Sequence, residues 1–423
     1  MRPWLLFFVL LAPVQASRGQ GQEKPAKQEP LTEERALSLA LGNRINTAAG
    51  VAQVRAAEAR LKEKGRIPDP ELRLTHEKQW TGETGKEYAI RFNPPNPWVV
   101  RAQKVEGGLA INLAHVQLEG MRWTTTLETR RLFHGALHAQ ATLAHVKNWQ
   151  AVVEEKKTLY EMLLDRGQVT LPTVLEVRLE FLEASERTKN ARRTHENAMN
   201  RLLAWTGLPT SPKPALKGET EAPVDQFHGI EAETLFLKFA VNHPVLSAME
   251  LQAEMAKTRI DQAAGANRLW FNFLQGGFSE SSNWWEDEDW RFRVGIRVPL
   301  FDRGGVTVEA AKADHEALAA QVELLRQQVR VNLTATLGNL QDAGRNLQET
   351  STITANIAEE VRKTLAEDKN APEPMLSPET RFKLRQGLHR IDTATLEARQ
   401  RYQGAILDME AVLGRRLQVV LTE

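Results

Sequence analysis

Apolar residues recur along this chain with two different periods, and the switches between them mark out its elements. From Arg101 to Asp165 there is no proline and the apolar spacing is helical throughout, so one helix on the order of 100 Å long is predicted. Leu109, Leu113, Val116, Trp123 and Leu127 mark one stripe on it, and Leu118, Met121, Leu132, Leu143 and Val146 a second beside the first. Two stripes call for a neighbour on each side, as in a wall of helices. A second long helix carries Leu318, Val322, Leu325, Val329, Leu333, Leu337 and Leu340. Their mean step of about 3.67 residues suits a straight or slightly right-handed path better than a left-handed heptad coil.

Elsewhere the period falls to two. Trp290, Phe292, Val294, Ile296, Val298 and Leu300 alternate with Arg291, Arg293, Gly295, Arg297 and Pro299, a strand with an apolar face and a wet one. Its expected partner, 269–280, places Leu269, Phe271 and Phe273 on one face. Two further strands carry Leu72 and Leu74, then Tyr88, Ile90 and Phe92, with Arg73 and Arg91 facing away. The intervening segments 80–87 and 279–289 read as polar or acidic loops. Trp80, Trp284, Trp285 and Trp290 gather at their ends, where an interfacial aromatic girdle would sit. Four strands of about ten residues match a bilayer in length, yet four cannot close a barrel. Closure requires other chains.

The elements repeat. The segment from Leu31 to Ile45 is echoed by that from Ile230 to Val245, Ile90-Arg91-Phe92 by Ile296-Arg297-Val298, and Leu175-Glu176-Val177 after Gly167 by Leu396-Glu397-Ala398 after Gly387. Each half reads helix, strand, strand, long helix, glycine turn, helix. This divides the chain into a first repeat over 31–206, a linker over 207–229 rich in Pro, Lys, Glu and Gly, and a second repeat over 230–417. Ahead of them, Arg2 precedes an apolar run from Trp4 to Ala12 and small residues at Val14 and Ala16. That reads as a signal peptide over 1–16 followed by a disordered segment over 17–30.

Composition removes several function classes. There is no cysteine, hence no disulfide framework, thiolate metal site or cysteine nucleophile. With 55 basic and 54 acidic residues, nothing indicates a nucleic-acid partner. Phosphate-cradling glycine loops, serine nucleophile elbows and the His-Glu-x-x-His zinc motif do not occur. No cofactor is implied, and the chain is not read as an enzyme.

With these elements in place the sequence resembles the TolC-like outer-membrane efflux proteins, over about Leu31 to Leu417. The likeness rests on the duplicated pattern, on Val294-Gly295-Ile296-Arg297-Val298-Pro299-Leu300-Phe301-Asp302 as a strand exit, on Trp205-Thr206-Gly207-Leu208-Pro209, and on Gly167 and Gly387. The resemblance implies a mainly α fold with a small β part. Three protomers would each give four transmembrane strands to one 12-stranded β-barrel, continued by a periplasmic helical tunnel, an α-barrel. It further implies an outer-membrane location with lipid around the strands, a homotrimer, a periplasmic adaptor at the far end of the tunnel and, through it, an inner-membrane pump. The duct would pass drugs, metal cations or other small molecules, and one branch of the family exports heavy-metal cations. The runner-up reading is a wholly periplasmic coiled-coil adaptor or scaffold, and an apolar strand face flanked by tryptophans argues against it. Two features depart from the family: the proline-rich Asn93-Pro94-Pro95-Asn96-Pro97, and an interruption over 368–378 before Gly387.

Three sets of residues are candidates for function. Gly167 and Gly387 suit the positive-φ geometry of a helix reversal, and the resemblance makes the flanking Arg166, Gln168, Thr170, Arg385, Gln386 and Leu388 adaptor-docking tips. Arg73, Arg91, Arg291, Arg293 and Arg297 would line a barrel lumen as a basic band, or be solvated or paired with Glu71 and Glu77. His134, His138 and His145 share a helical face. Two imidazoles one turn apart could be a metal pair, but these three continue an apolar stripe, which favours helix packing or lumen lining.

Overall fold

The computed structural model describes residues 30–64, 66–78, 84–218, 231–240, 243–281, 289–298, 304–371 and 375–417. Trp80, Trp284, Trp285 and the strand exit over 299–303 lie outside these residues, as do 1–29 and 219–230. The first six elements are α1 (Glu33–Gly42), α2 (Arg44–Lys64), β1 (Glu71–Lys78), β2 (Thr84–Phe92), α3 (Pro97–Asp165) and α4 (Leu171–Thr206). The next six follow the same order: α5 (Ala232–Lys238), α6 (Pro244–Ala266), β3 (Trp270–Ser281), β4 (Asp289–Arg297), α7 (Gly305–Asn370) and α8 (Pro378–Leu413). Strand β2 begins at Thr84 and β3 continues to Ser281, so both expected loops are shorter than the polar runs suggest.

Local chemistry sets the helix ends. The proline-rich run after β2 opens α3, with Pro97 in its first turn and Asn96 Oδ1 accepting from the amides of Trp98 (3.0 Å) and Val99 (3.5 Å). Proline is tolerated there because its missing N–H would have had no helical partner. At 69 residues, α3 spans about 100 Å. It ends where Gly167 takes φ +72°, its amide bonding Leu164 O at 2.8 Å and that of Gln168 bonding Leu163 O at 2.9 Å. This terminus satisfies the last carbonyls through a left-handed residue.

The second hairpin reverses differently, and Gly387 has no part in the turn. Gly387 lies inside α8, so the reversal falls at 371–377, within the interruption over 368–378. There Ser377 Oγ caps α8 by accepting from Thr380 N at 3.2 Å. Asp368 Oδ1 accepts from Leu376 N at 2.7 Å, and the same carboxylate is paired with Arg381. Ser377 as cap and Pro378 in the first turn start α8, and none of the described residues of this turn has a positive φ.

The packed layers are one element thick. The sheet is antiparallel in the order β1-β2-β3-β4. Nearest it, α2 packs on α3, α3 on α6 and α6 on α7; farther along, α4 packs on α3, α3 on α8 and α8 on α7. The short helices plug the hairpins. Ala36 of α1 packs with Phe133, Leu137, Met199 and Leu202, while Leu235 and Phe236 of α5 pack with Leu333, Leu337, Tyr402 and Met409. The predicted stripe on α7 faces inward: Leu318, Val322 and Leu325 meet Leu246 and Met249, and Leu333, Leu337 and Leu340 meet α8. Residues 207–218, expected as plain linker, are pinned at Leu216, which is buried against α3 while its neighbours bond Leu31.

Candidate functional site

The sheet separates two chemistries. Registers Leu72↔Ile90, Leu74↔Tyr88, Ile90↔Gly276, Phe92↔Leu274, Leu274↔Val294 and Gly276↔Phe292 gather the apolar residues on one face. That face is open: Phe292 is 81% exposed and Leu72, Leu74, Ile90, Trp290, Val294 and Ile296 are all more than half exposed. Phe278, paired with Trp290, meets it edge-on at 5.7 Å between centroids.

The expectation that Phe271 and Phe273 share a face is corrected by a bulge between them. Phe271 stays opposite Ile296 on the apolar face, while Phe273 turns to the other side opposite Gly295. One inserted residue reverses every later side chain, which is why Leu274 and Phe278 join the apolar face. Gly295 is needed in this arrangement, because a Cβ there would stand 2.4 Å from the Phe273 ring.

The opposite face carries all five predicted arginines, four of them in two adjacent rows. One row reads Glu71, Arg91, Gln275, Arg293; the next reads Arg73, Ala89, Gly277, Arg291. Arg297 stands apart from them, beyond the Phe273–Gly295 pair and opposite Trp270. Arg73 pairs with Glu71 at 3.1 Å and Arg293 with Glu87 at 3.3 Å. Gln275 also donates to Glu87, at 3.4 Å. Arg91 has neutral partners instead, its guanidinium 4.0 Å from the Phe273 centroid and its Nε 3.3 Å from Asn93 Oδ1. Glu87 was legible in the sequence as four residues from Arg91, hence on the same face.

The first helix tip presents Arg166, Gly167, Gln168 and Thr170, all exposed. Met162, Leu171 and Leu175 beside it are each about half exposed. Arg385, Gln386, Gly387 and Leu388 are not at a tip. They lie in the early turns of α8, where Arg385 Nη1 bonds Glu155 of α3 at 2.6 Å. Gln386 lines two cavities with Trp149 and Glu180. In the turn at that end Met375 is 80% exposed.

The three histidines do not converge. His134 Nε2 lies 2.9 Å from Glu33 Oε2, His138 Nε2 lies 3.3 Å from Thr142 Oγ1, and His145 Nε2 lies near His389 O and Thr393 Oγ1. His134 thus reaches α1 and His145 reaches α8, while His138 bonds within α3. Among the described residues no group of three such ligands is placed to hold a metal.

His134 belongs to a buried charge cluster that the sequence did not announce. Arg130 bonds Glu33 at 2.6 Å and also pairs with Glu410, which is 1% exposed and accepts from Leu417 N at 2.9 Å. Burial by itself would raise the Glu33 carboxyl, but the His134 hydrogen bond and the Arg130 charge hold it down at about 2. The cluster ties α1, α3 and α8 together, so it joins the two halves of the chain. A partner missing from such a cluster would leave a buried charge uncompensated.

No protein-family model matches this sequence, and no curated protein matches it either. Solved structures do. CusC is similar over 94% of this chain and 96% of its own, at 14% identity and a TM-score of 0.71. The outer membrane protein VceC from Vibrio cholerae is similar over 91% and 96%, at 14% identity and a TM-score of 0.69. The CmeC outer membrane channel of Campylobacter jejuni is similar over 97% and 94%, at 14% identity and a TM-score of 0.67.

Proposed function

The chain has the TolC-like fold of these outer-membrane channels, and on that premise we propose that three copies form an outer-membrane duct, the exit component of a tripartite efflux system. The observation that carries this reading is the single open layer, with a free edge at each level. Strands β1 and β4 are edge strands, and an open edge beside an apolar face is an aggregation hazard unless other chains close it. Rotating three copies joins β4 of one to β1 of the next and gives twelve strands, an even number as membrane barrels of this kind require. The exposed apolar face then meets lipid, and the arginine face meets water. On the helical side Leu171, Leu175, Leu179 and Leu182 form an exposed stripe along α4, suited to packing on a neighbouring protomer.

In this reading the duct is passive. It needs no cofactor, and an inner-membrane pump supplies the energy through a periplasmic adaptor that touches the helix tips. The cargo class named by the resemblance is drugs, metal cations or other small molecules. Cross-linking of isolated outer membranes is expected to give a three-chain species, with the protein absent from the soluble periplasmic fraction. A soluble monomer would return the chain to the class of periplasmic scaffolds.

A further inference from the structure

Resting on the duct reading, we propose that the seam between α3 and α8 is an acid-responsive joint, holding the two helix hairpins together at neutral pH and letting them part in acid. The joint is a stack of three rings. His145 and Trp149 stand one turn apart on α3, and the His389 ring of α8 lies against both. The centroids are 4.3 Å apart with 12° between planes in one contact, and 4.7 Å apart with 11° in the other. His145 Nε2 lies 3.2 Å from His389 O and 3.0 Å from Thr393 Oγ1. A carbonyl oxygen only accepts, so this nitrogen carries a proton and donates across the seam.

The stack holds His389 well only while that ring is neutral. Its Nδ1 is buried and has no hydrogen-bond partner. A neutral ring can leave this nitrogen as an unused lone pair, whereas an imidazolium must bear an N–H on it with no acceptor in reach. The surrounding charges do not compensate. Glu180, Glu183 and Arg187 of α4 and Arg390 and Glu397 of α8 border a cavity of about 520 Å³ beside the ring. Each carboxylate has a cation of its own: Glu180 pairs with Lys156 at 2.6 Å, Glu183 lies 4.0 Å from Arg187 and Glu397 lies 3.6 Å from Arg401. Arg385 is likewise held by Glu155 of α3 at 2.6 Å, and Arg362 of α7 by Asp392 at 3.5 Å. Burial, then the charges of His145 and Arg187, therefore keep the His389 pKa at about 4 against an ordinary 6.5.

Parting the rings returns His389 to water and to its ordinary value, so protons favour the parted state as pH falls from 6.5 toward 4. Among the helices of the first half, α8 packs on α3, so this one seam decides whether the hairpins stay together. With a cavity alongside, the rings have few neighbours to hold them once they separate. His389 sits roughly 17 Å from the start of α8. Three such seams in a closed trimer would loosen the tunnel wall near its periplasmic end.

The test reads a distance in the purified full-length protein. The chain has no cysteine, so Ala151→Cys on α3 and Ala394→Cys on α8, both at exposed positions, can carry one spin-label pair, with labelled chains diluted into unlabelled ones. One distance is expected at pH 7.5. At pH 5 a longer one should grow, the parted-to-closed ratio rising about tenfold once solvent at the open edge of the ring is allowed for. His389→Phe keeps a ring in the stack without a titrating nitrogen and should hold the short distance at both pH values. His389→Gln, which also cannot titrate, should likewise lose the pH response. An unchanged distribution at pH 5 in the parent, or equal growth in a folded variant lacking His389, would overturn the proposal. The readout needs neither conductance nor a trimer, so failure of the duct reading, seen as a soluble monomer, is separate from failure of the joint.

Discussion

His389 is the residue whose ionisation most depends on the fold. Its ring stacks on His145 at 4.3 Å and on Trp149 at 4.7 Å between centroids, and burial, then the charges of His145 and Arg187, push its pKa down to about 4. An unfolded chain titrates this histidine near 6.5, so the unfolded state binds more protons between those two values. Stability is then complete above about pH 6.5 and declines as the pH falls toward 4. Thermal unfolding of the purified protein should show a lower midpoint at pH 5 than at pH 7.5, and His389→Gln should flatten that slope. Equal slopes in the two proteins would place the acid sensitivity elsewhere. His389 was invisible in the sequence, because its partners sit on a helix more than two hundred residues away. Gly167, by contrast, was legible as a turn, since a polar segment breaks the helical pattern immediately after it. Gly387 misled by analogy with Gly167: a glycine within a helical pattern does not turn the chain when a serine cap and Pro378 have started that helix several residues earlier.

At the scale of elements, alternation along the strands was enough to assign faces wherever the ladder is regular. Leu72, Leu74, Tyr88, Ile90 and the run from Trp290 to Ile296 lie as period two requires. It failed in β3, because a bulge is a cross-strand event: two residues face one, and the extra residue carries no mark in its own sequence. The assigned faces are open to a direct test. Phe292→Arg or Ile296→Arg should cost about 2–4 kcal/mol if the site lies near the bilayer midplane, whereas Arg293→Gln, on the wet face, should leave assembly close to wild type. The amount of assembled trimer in outer membranes reports the difference. If Arg293→Gln proves the most damaging of the three, the sheet faces the other way.

For the whole molecule, the two helix hairpins end in unlike turns. One is the glycine reversal at Arg166–Thr170, and the other is the capped turn at 371–377 with Met375 exposed. The adaptor is expected to read these turns, with Arg385, Gln386, Gly387 and Leu388 forming the flank behind the second one. Arg166→Ala, Gln168→Ala and Met375→Ala together should preserve the trimer while abolishing efflux and adaptor cross-linking. Arg385→Ala with Leu388→Ala should do less. The reverse order would move docking from the turns to the flank, and full efflux from both sets would remove it from this end altogether.

The division between sequence and fold follows from the range of the interactions. Periodicity, caps and breakers act over a few residues, so the long helices, the four strands, their duplication and the arginine face could all be read from the chain alone. So could the shortage of strands, because counting them shows that one chain cannot close a barrel. What only the tertiary structure decided depends on which distant residues meet. It set the bulge that turns Phe273 inward over Gly295, the cluster joining Glu33 and Arg130 to Glu410, and the separate partners that disperse the three histidines. The bulge is a pairing across two strands, and the charge cluster and the His134 and His145 contacts join residues 97 or more apart; a hydrophobic period says which way a side chain points without saying what it will find there.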